Sequence, residues 1–311
     1  MPTLDARETA LENPIPELAA TLRVFQPAPN VLAFYDGRVA GARAYSGEPN
    51  WLDDGAYELG ICTYAILSGA EALVYDTHIS LAHARRIRAM LTARGVDRIK
   101  VVLSHWHRDH IAGNEVFADC EIIAHSLTAQ ALDEQRVSIE TGSPPIKPLV
   151  GPMRTYEEML QLQVGNISVE LRHVDIHSRD GTLLLLPEID LLFAGDALED
   201  PITYVAEPDR LAIHLVDLQR IAAWPIRRIL PNHGDPNVIA AGGYEPGLIA
   251  ATIHYVQTLI RSRSEPELAK APLSDWIEDD LALRRISVFP PYEKVHKHNV
   301  ARMQALGAAE G

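Results

Sequence analysis

Residues Val101-Val102-Leu103-Ser104-His105-Trp106-His107-Arg108-Asp109-His110 run from an apolar stretch straight into three imidazoles and a carboxylate within six positions. Undirected polar composition rarely concentrates imidazoles in this way. The apolar run has the character of a buried strand, and a tight loop at its end can aim alternate side chains at neighbouring points in space. Imidazole nitrogens and a carboxylate suit a borderline divalent cation such as zinc. Two residues apart, His105 and His107 can share one ion, while Asp109 and His110 point at a second.

Outward from this motif the chain repeats a strand, loop and helix unit. Ile61 to Leu67 and Ala72 to Tyr75 are apolar runs joined by Ser68-Gly69-Ala70, a hairpin turn. Ser80 caps a helix in which Leu81, Ala84, Ile87 and Leu91 recur at helical spacing, and Gly95 closes it. A strand over 100–103 carries the histidine loop, followed by a strand over 121–124 and a helix over 126–136. Residues 141–152, with four prolines and two glycines, are expected as an irregular loop over the surface or over a site. Strands over 168–172, 182–186, 191–194 and 226–230, with helices over 209–223 and 244–263, complete a second group. Two such groups suggest two sheets covered by helices. Residues 264–311, interrupted by Pro266, Pro272, Pro290 and Pro291, show no core of their own and are expected as an appendage on a main domain of residues 1–263.

Three later segments offer the chemistry to complete a metal site: His177 in a loop between strands, Asp196 after the apolar run Leu192-Phe193-Ala194-Gly195, and His233 in Pro231-Asn232-His233-Gly234. Each places a ligand type at the end of a strand. A rigid scaffold presents side chains there, and adjacent glycines let the backbone approach closely.

On these four segments the chain resembles the metallo-β-lactamase fold superfamily. The HxHxDH motif stands as His105, His107, Asp109 and His110, and His177, Asp196 and His233 follow in the superfamily's order, over roughly residues 24–263. The resemblance implies an α/β fold, a four-layer αββα sandwich with metals at one edge between the sheets, here with a C-terminal helical extension. It implies that His105, His107 and His177 bind one ion, that Asp109, His110 and His233 bind a second, and that Asp196 bridges them. Asp175-Ile176 precede His177 where members often carry Pro-Gly, so a different turn is expected at that point. The cofactors would be two divalent ions, zinc first, with manganese or iron as alternatives. Ions roughly 3.5–4 Å apart lower the pKa of a held water towards about 7 and present hydroxide to an electrophilic centre. Asp109 is the catalytic candidate, orienting that nucleophile or carrying its proton as well as ligating. Asp76 and Asp180 are candidates for the outer nitrogens of ligand histidines, although Asp76 could equally cap the helix that follows. His78 and Tyr204 are candidates for the pocket, with a solvated loop as the plainer reading of His78. His83, His125, His173, His214 and His254 are expected to be structural.

The resemblance also narrows the reaction. Asp196 at the bridging position disfavours true β-lactamases, and Ala197-Leu198 after it lacks the Cys-Gly of hydroxyacylglutathione hydrolases. Lactonases of the superfamily place a tyrosine three residues after the bridge, where this chain has Glu199, with Tyr204 as a substitute. The expected protein is a dinuclear metal-dependent hydrolase of a small ester, lactone or thioester. The alternatives are a phosphodiester or sulfate ester hydrolase, a mononuclear iron enzyme of the sulfur dioxygenase kind, and a non-catalytic sensor.

Composition sets limits on partners. A chain of 311 residues, 47% hydrophobic, can bury a large core. Its net charge of −14, from 28 basic and 42 acidic residues, would repel a phosphate backbone, which makes nucleic acid an unsuitable partner. No run approaches the roughly 20 apolar residues of a membrane span, and the first residues lack a signal-peptide layout. With two unpaired cysteines, Cys62 and Cys120, the chain is expected in the cytoplasm, acting on a small molecule, with a homo-oligomer left open.

Overall fold

The computed structural model describes residues 18–309. Among these, β1 (Arg23–Ala28), β2 (Val31–Asp36), β3 (Ile61–Ser68), β4 (Glu71–Tyr75), β5 (Arg98–Val102), β6 (Glu121–His125) and β7 (Arg154–Tyr156) lie side by side in that order in one sheet. A second sheet has β8 (Met159–Val164), β9 (Ile167–Ile176), β10 (Ser178–Leu186), β11 (Leu191–Gly195) and β12 (Arg228–Pro231), also in chain order. The helices are α1 (Leu81–Thr92), α2 (Arg108–Ile111), α3 (Ser126–Glu134), α4 (Arg136–Glu140), α5 (Leu211–Ala222), α6 (Pro236–Ala240), α7 (Gly247–Ser262), α8 (Leu273–Trp276), α9 (Glu278–Ala282) and α10 (Tyr292–Ala309).

Alternation along the strands assigns the layers. In β4, β5 and β6, Leu73, Tyr75, Val102 and Ile123 face the second sheet, while Val74, Val101 and Ile122 face the opposite way, into the core that holds Ala84, Ile87 and Leu91 of α1. The core between the sheets continues across the second sheet through Leu218 and Ile221 of α5 and Tyr255 and Leu259 of α7. The result is helix, sheet, sheet, helix. Tyr64 and Tyr75 of the first sheet pack edge-on against Phe193 of the second, with ring centroids 5.2 and 6.1 Å apart.

Tyrosines on the inner face of the first sheet also tie the layers by their hydroxyls. Tyr35 donates to Gly234 O at 2.9 Å, Tyr64 to Pro231 O at 2.5 Å, Tyr75 to Thr182 O at 2.5 Å and Tyr156 to Thr182 Oγ1 at 2.8 Å. A phenol buried at such a junction gains about 0.5–1.5 kcal/mol from each bond and would lose more if left unpaired. The bonds converge on the edge where the ligand segments end.

The hairpin over Ser68-Gly69-Ala70 forms, with Ser68 opposite Glu71 and Gly69 at φ +60°. Ser80 caps α1 by accepting from His83 N. Connections from β4 to β5 and from β5 to β6 are parallel crossovers, so the C-terminal ends of β4 and β5 reach the same edge. Sequence periodicity had missed β1, β2, β7 and β8, and also the π-helical turn Leu52–Tyr57. The expected helix over 126–136 is two pieces, α3 and α4, broken at Gln135. The loop over 141–152 holds no regular structure; it seats Trp51, whose Nε1 donates to Pro144 O at 2.8 Å. α10 packs on α7 through Tyr292, Val295 and Val300, in the core shared with the second sheet. No helix among the described residues is long and apolar enough to cross a membrane.

Candidate metal centre

Strand ends deliver the four segments to one place. The HxHxDH motif leaves β5 and turns into the single turn α2; Asp196 follows β11, and His233 follows β12. His177 makes the turn between β9 and β10 by itself, at φ +66°. A left-handed non-glycine residue costs of order 1–3 kcal/mol and persists where the surroundings hold it. Here Asp175, two residues before, accepts from Arg210 Nε at 2.9 Å and is held from α5 by Asp217, which accepts from its N–H at 2.6 Å. Gly195, at φ +54°, has no room for a Cβ: one would sit 3.0 Å from Ser104 Cβ and 3.1 Å from the Tyr75 hydroxyl.

All seven predicted ligands meet. His105, His107, His177 and Asp196 form one group and Asp109, His110, Asp196 and His233 another, each with ligand atoms within 4.8 Å of one another. Asp196 belongs to both. Its Oδ2 lies 3.6 Å from His105 Nε2, 3.7 Å from His177 Nε2, 3.0 Å from His110 Nε2 and 3.5 Å from His233 Nε2. Asp109 Oδ2 is 3.2 Å from His233 Nε2 and 3.5 Å from His110 Nε2, and His107 Nδ1 is 2.9 Å from His177 Nε2. A tetrahedral ion with bonds of about 2.1 Å spaces its ligand atoms by about 3.4 Å, the middle of this range.

In four of the five histidines the nitrogen turned away from these clusters is held. His105 Nδ1 meets Ser104 Oγ at 2.9 Å, His110 Nδ1 meets Asp76 Oδ2 at 2.9 Å, His177 Nδ1 donates to Tyr204 O at 2.8 Å, and His233 Nδ1 donates to Gly60 O at 2.5 Å. Such outer bonds fix ring orientation and tautomer, leaving the inner nitrogen a free lone pair. His105 Nε2 and Asp196 Oδ1 are buried with no hydrogen-bond partner, a costly arrangement unless a cation completes it. Burial lowers the pKa of His105, of His107 to about 3 and of His177 to about 4, so these rings are neutral. Burial acts the same way on His110 and His233, but the carboxylate of Asp196 and its neighbours outweigh it and raise both. Buried carboxylates therefore draw positive charge into the centre. The residues fit a pair of divalent ions.

Asp76 is the hub of the outer shell. Besides His110 it accepts from Ser104 N at 2.6 Å and Asn232 Nδ2 at 2.5 Å, and its own φ is +68°. Asp180 does not play that part: it takes its hydrogen bond from Ser178 and joins no ligand histidine, and burial pushes its carboxyl up to about 6. His78 is neither solvated nor in the pocket. It is fully buried and stacked on His83 at 4.3 Å, because α1 folds back over it and His83 is anchored by Asp36 at 2.8 Å. Tyr204 does line the cavity, and its ring stacks on His298 at 5.2 Å.

Sequence reasoning missed Ser104, Gly60, Asn232 and the part played by Glu199. Glu199 Oε1 accepts from Tyr204 N at 2.8 Å and Oε2 from Tyr292 at 2.8 Å, so α10 braces the carbonyl that orients His177. Burial, reinforced by Asp196, raises the Glu199 pKa. The adjacency of Asn232 to His233 and of Ser104 to His105 was a usable signal; Gly60 O, a backbone atom, carried none. Asp175, Glu207 and His214 form a third cluster, but Arg210 already supplies its positive charge.

No family profile matches the chain. The beta-lactamase-like protein 2 homolog of Caenorhabditis elegans is 24% identical over 177 residues, 56% of each protein. The atrochrysone carboxyl ACP thioesterase of Paecilomyces divaricatus is 25% identical over 177 residues, 56% of this chain and 50% of that one. The chain thus matches about half the length of these curated relatives. Among solved structures, the metallo-β-lactamase from Pontibacter korlensis superposes with a TM-score of 0.58 at 17% identity, covering 76% of this chain and 99% of that one. The DIM-1 metallo-β-lactamase does so with 0.57 at 18%, covering 78% and 98%. These structural likenesses show that the chain has the metallo-β-lactamase fold.

Proposed function

We propose that the protein is a dinuclear metal-dependent hydrolase of a small ester, lactone or thioester, with zinc as the metal. The observation that carries this reading is the pair of ligand groups sharing Asp196, with His105 Nε2 and Asp196 Oδ1 buried and unpartnered. His105, His107 and His177 would hold one ion, Asp109, His110 and His233 the other. Ions there supply Lewis acidity and a hydroxide nucleophile at neutral pH. Asp109, partly exposed at the cavity, would accept a proton from the nucleophile and return it to the leaving group. The bonds of His177 to Tyr204 O and of His233 to Gly60 O would hold these rings in orientation towards the ions. The thioesterase named among the relatives supports an acyl substrate.

The test is elemental analysis of the purified protein together with turnover of ester, lactone, thioester and phosphodiester substrates before and after chelation. Near two zinc per chain with chelator-sensitive acyl hydrolysis is expected. One iron per chain without hydrolysis, or cleavage confined to phosphodiesters, would overturn the proposal.

A further inference from the structure

The cavity over the ligands has a second set of walls that the hydrolytic chemistry does not use. It measures about 500 Å³, in the range that accepts a small organic molecule. Trp51 and Gly55 come to it from the π-helical turn, Trp106 and Arg108 from between the ligands, Tyr204 from the loop after β11, and Arg302 from α10.

Its two guanidinium groups stand out in a chain whose acidic residues outnumber its basic ones by 42 to 28. Arg88, Arg172 and Arg210 each hold a carboxylate. Among the described residues Arg108 and Arg302 hold none. Arg302 Nη2 donates to Ala206 O, and both residues line the cavity together with Tyr204. Arg108 Nη2 donates to Ser138 Oγ at 2.8 Å, and its Nε is buried without a partner. The acids of the cavity are engaged elsewhere: Asp109 and Asp196 face the histidines, and Glu199 is taken by Tyr204 N and Tyr292. A planar guanidinium that holds no carboxylate is suited to bind an anionic oxygen pair, and two of them line this cavity. The space beside them is apolar and roomy. Trp51 and Trp106 offer aromatic surface, and a Cβ on Gly55 would meet nothing within 4 Å.

We propose that this cavity selects an anionic acyl compound: a bulky or planar apolar body carrying a carboxylate or phosphate away from the scissile bond, the anion being held by Arg302 and Arg108. The inference rests on the hydrolase reading for the bond that is cleaved, but not for the binding of the anion.

The experiment is a titration of the zinc-loaded and the chelator-treated protein with 2-naphthoate, 2-naphthyl phosphate and the neutral 2-naphthamide, followed by tryptophan fluorescence. Charged hydrogen bonds of this kind predict at least one anion bound about 10-fold or more tightly than the amide in both forms. The preference should shrink about 10-fold in Arg302→Gln and return in part with Arg302→Lys. The naphthoate and phosphate arms decide which anion the site takes. Equal affinity for all three probes, or a preference unchanged in the Arg108→Gln/Arg302→Gln double variant, would overturn the inference. Turnover of neutral 2-naphthyl acetate is scored in parallel. Hydrolysis without any anion preference sinks this inference alone, whereas anion preference without hydrolysis of any ester supports it and removes the hydrolase reading.

Discussion

Asp76→Asn tests whether the metal centre depends on its outer shell. Asparagine is the right replacement because Asp76 sits at φ +68°, a conformation that Asn tolerates and Ala does not. The two side chains are nearly isosteric, so packing is left alone and only the hydrogen-bond logic changes. Oδ1 accepts from Ser104 N, while Oδ2 accepts from both His110 Nδ1 and Asn232 Nδ2. An amide offers one acceptor. If its oxygen serves His110 and Asn232, its NH2 confronts the Ser104 N–H across the former 2.6 Å contact. If it flips, two donors are confronted instead of one. The better arrangement leaves one buried donor unpaired, at a cost of about 1–3 kcal/mol.

At about 2–4 °C per kcal/mol, the figure for somewhat smaller domains, the chelator-treated variant should melt roughly 2–10 °C below the wild type. The second consequence concerns the metal. His110 loses a carboxylate that fixes its ring and raises its basicity, and such partners are worth about 10–100-fold in metal affinity. Competition against a chromophoric chelator reads that directly. The zinc-loaded protein should therefore lose more thermal stability than the metal-free one, since metal bound only by the native state stabilises it through linkage. A variant that melts within ~1 °C of the wild type in both forms and binds zinc within about twofold would refute the assignment of Asp76 as the hub.

Other perturbations separate the roles of particular residues. His107→Ala should lower the metal content below two per chain and abolish turnover; full activity with full metal content would remove His107 from the centre. Gly55→Leu should cut kcat/KM for naphthyl esters by about 10-fold or more while sparing acetyl esters of small alcohols, and an equal loss for both would show that Gly55 does not border the bound acyl compound. Asp180 gives a pH signature. Its carboxyl is raised from 3.8 to about 6 in the folded protein, so between these values the native state binds more protons than the unfolded one, and stability falls as pH rises. The loss amounts to about 3 kcal/mol across that window. Asp180→Asn should therefore gain stability relative to the wild type from pH 4 to 6 and hold a constant difference above. A difference that does not vary with pH would be inconsistent with a buried, reluctantly ionised Asp180.

The candidate ligands were legible because a metal site would concentrate side chains of one type at strand ends. His105, His107, Asp109 and His110 occupy one short loop, and Asp196 and His233 each follow an apolar run beside a glycine. What holds them was not legible to the same degree. Gly60 and Tyr204 act through backbone carbonyls, which every residue possesses, so no residue identity reports them. His78 looked like a loop histidine because nothing local reveals that α1 folds back to bury it against His83.

The C-terminal helix was expected as part of an extension, but its packing was not legible, for a related reason. A helix is recognised by an apolar stripe, but the buried face of α10 includes polar residues: His296 bonds Ala271 O at 3.1 Å, and Asn299 bonds Thr203 O at 3.0 Å and Val205 N at 2.9 Å. Each of those side chains is buried only because a specific partner waits for it, and partners far apart in sequence leave no periodic trace. The Asn299 bonds tie the loop carrying Glu199 and Tyr204 to α10, one turn from Arg302. The candidate ligands are thus written in a local motif, whereas the anion site proposed for Arg302 depends on a helix placed by scattered polar contacts. Chains that share the HxHxDH motif but differ in this helix should therefore share metals and differ in what they cleave.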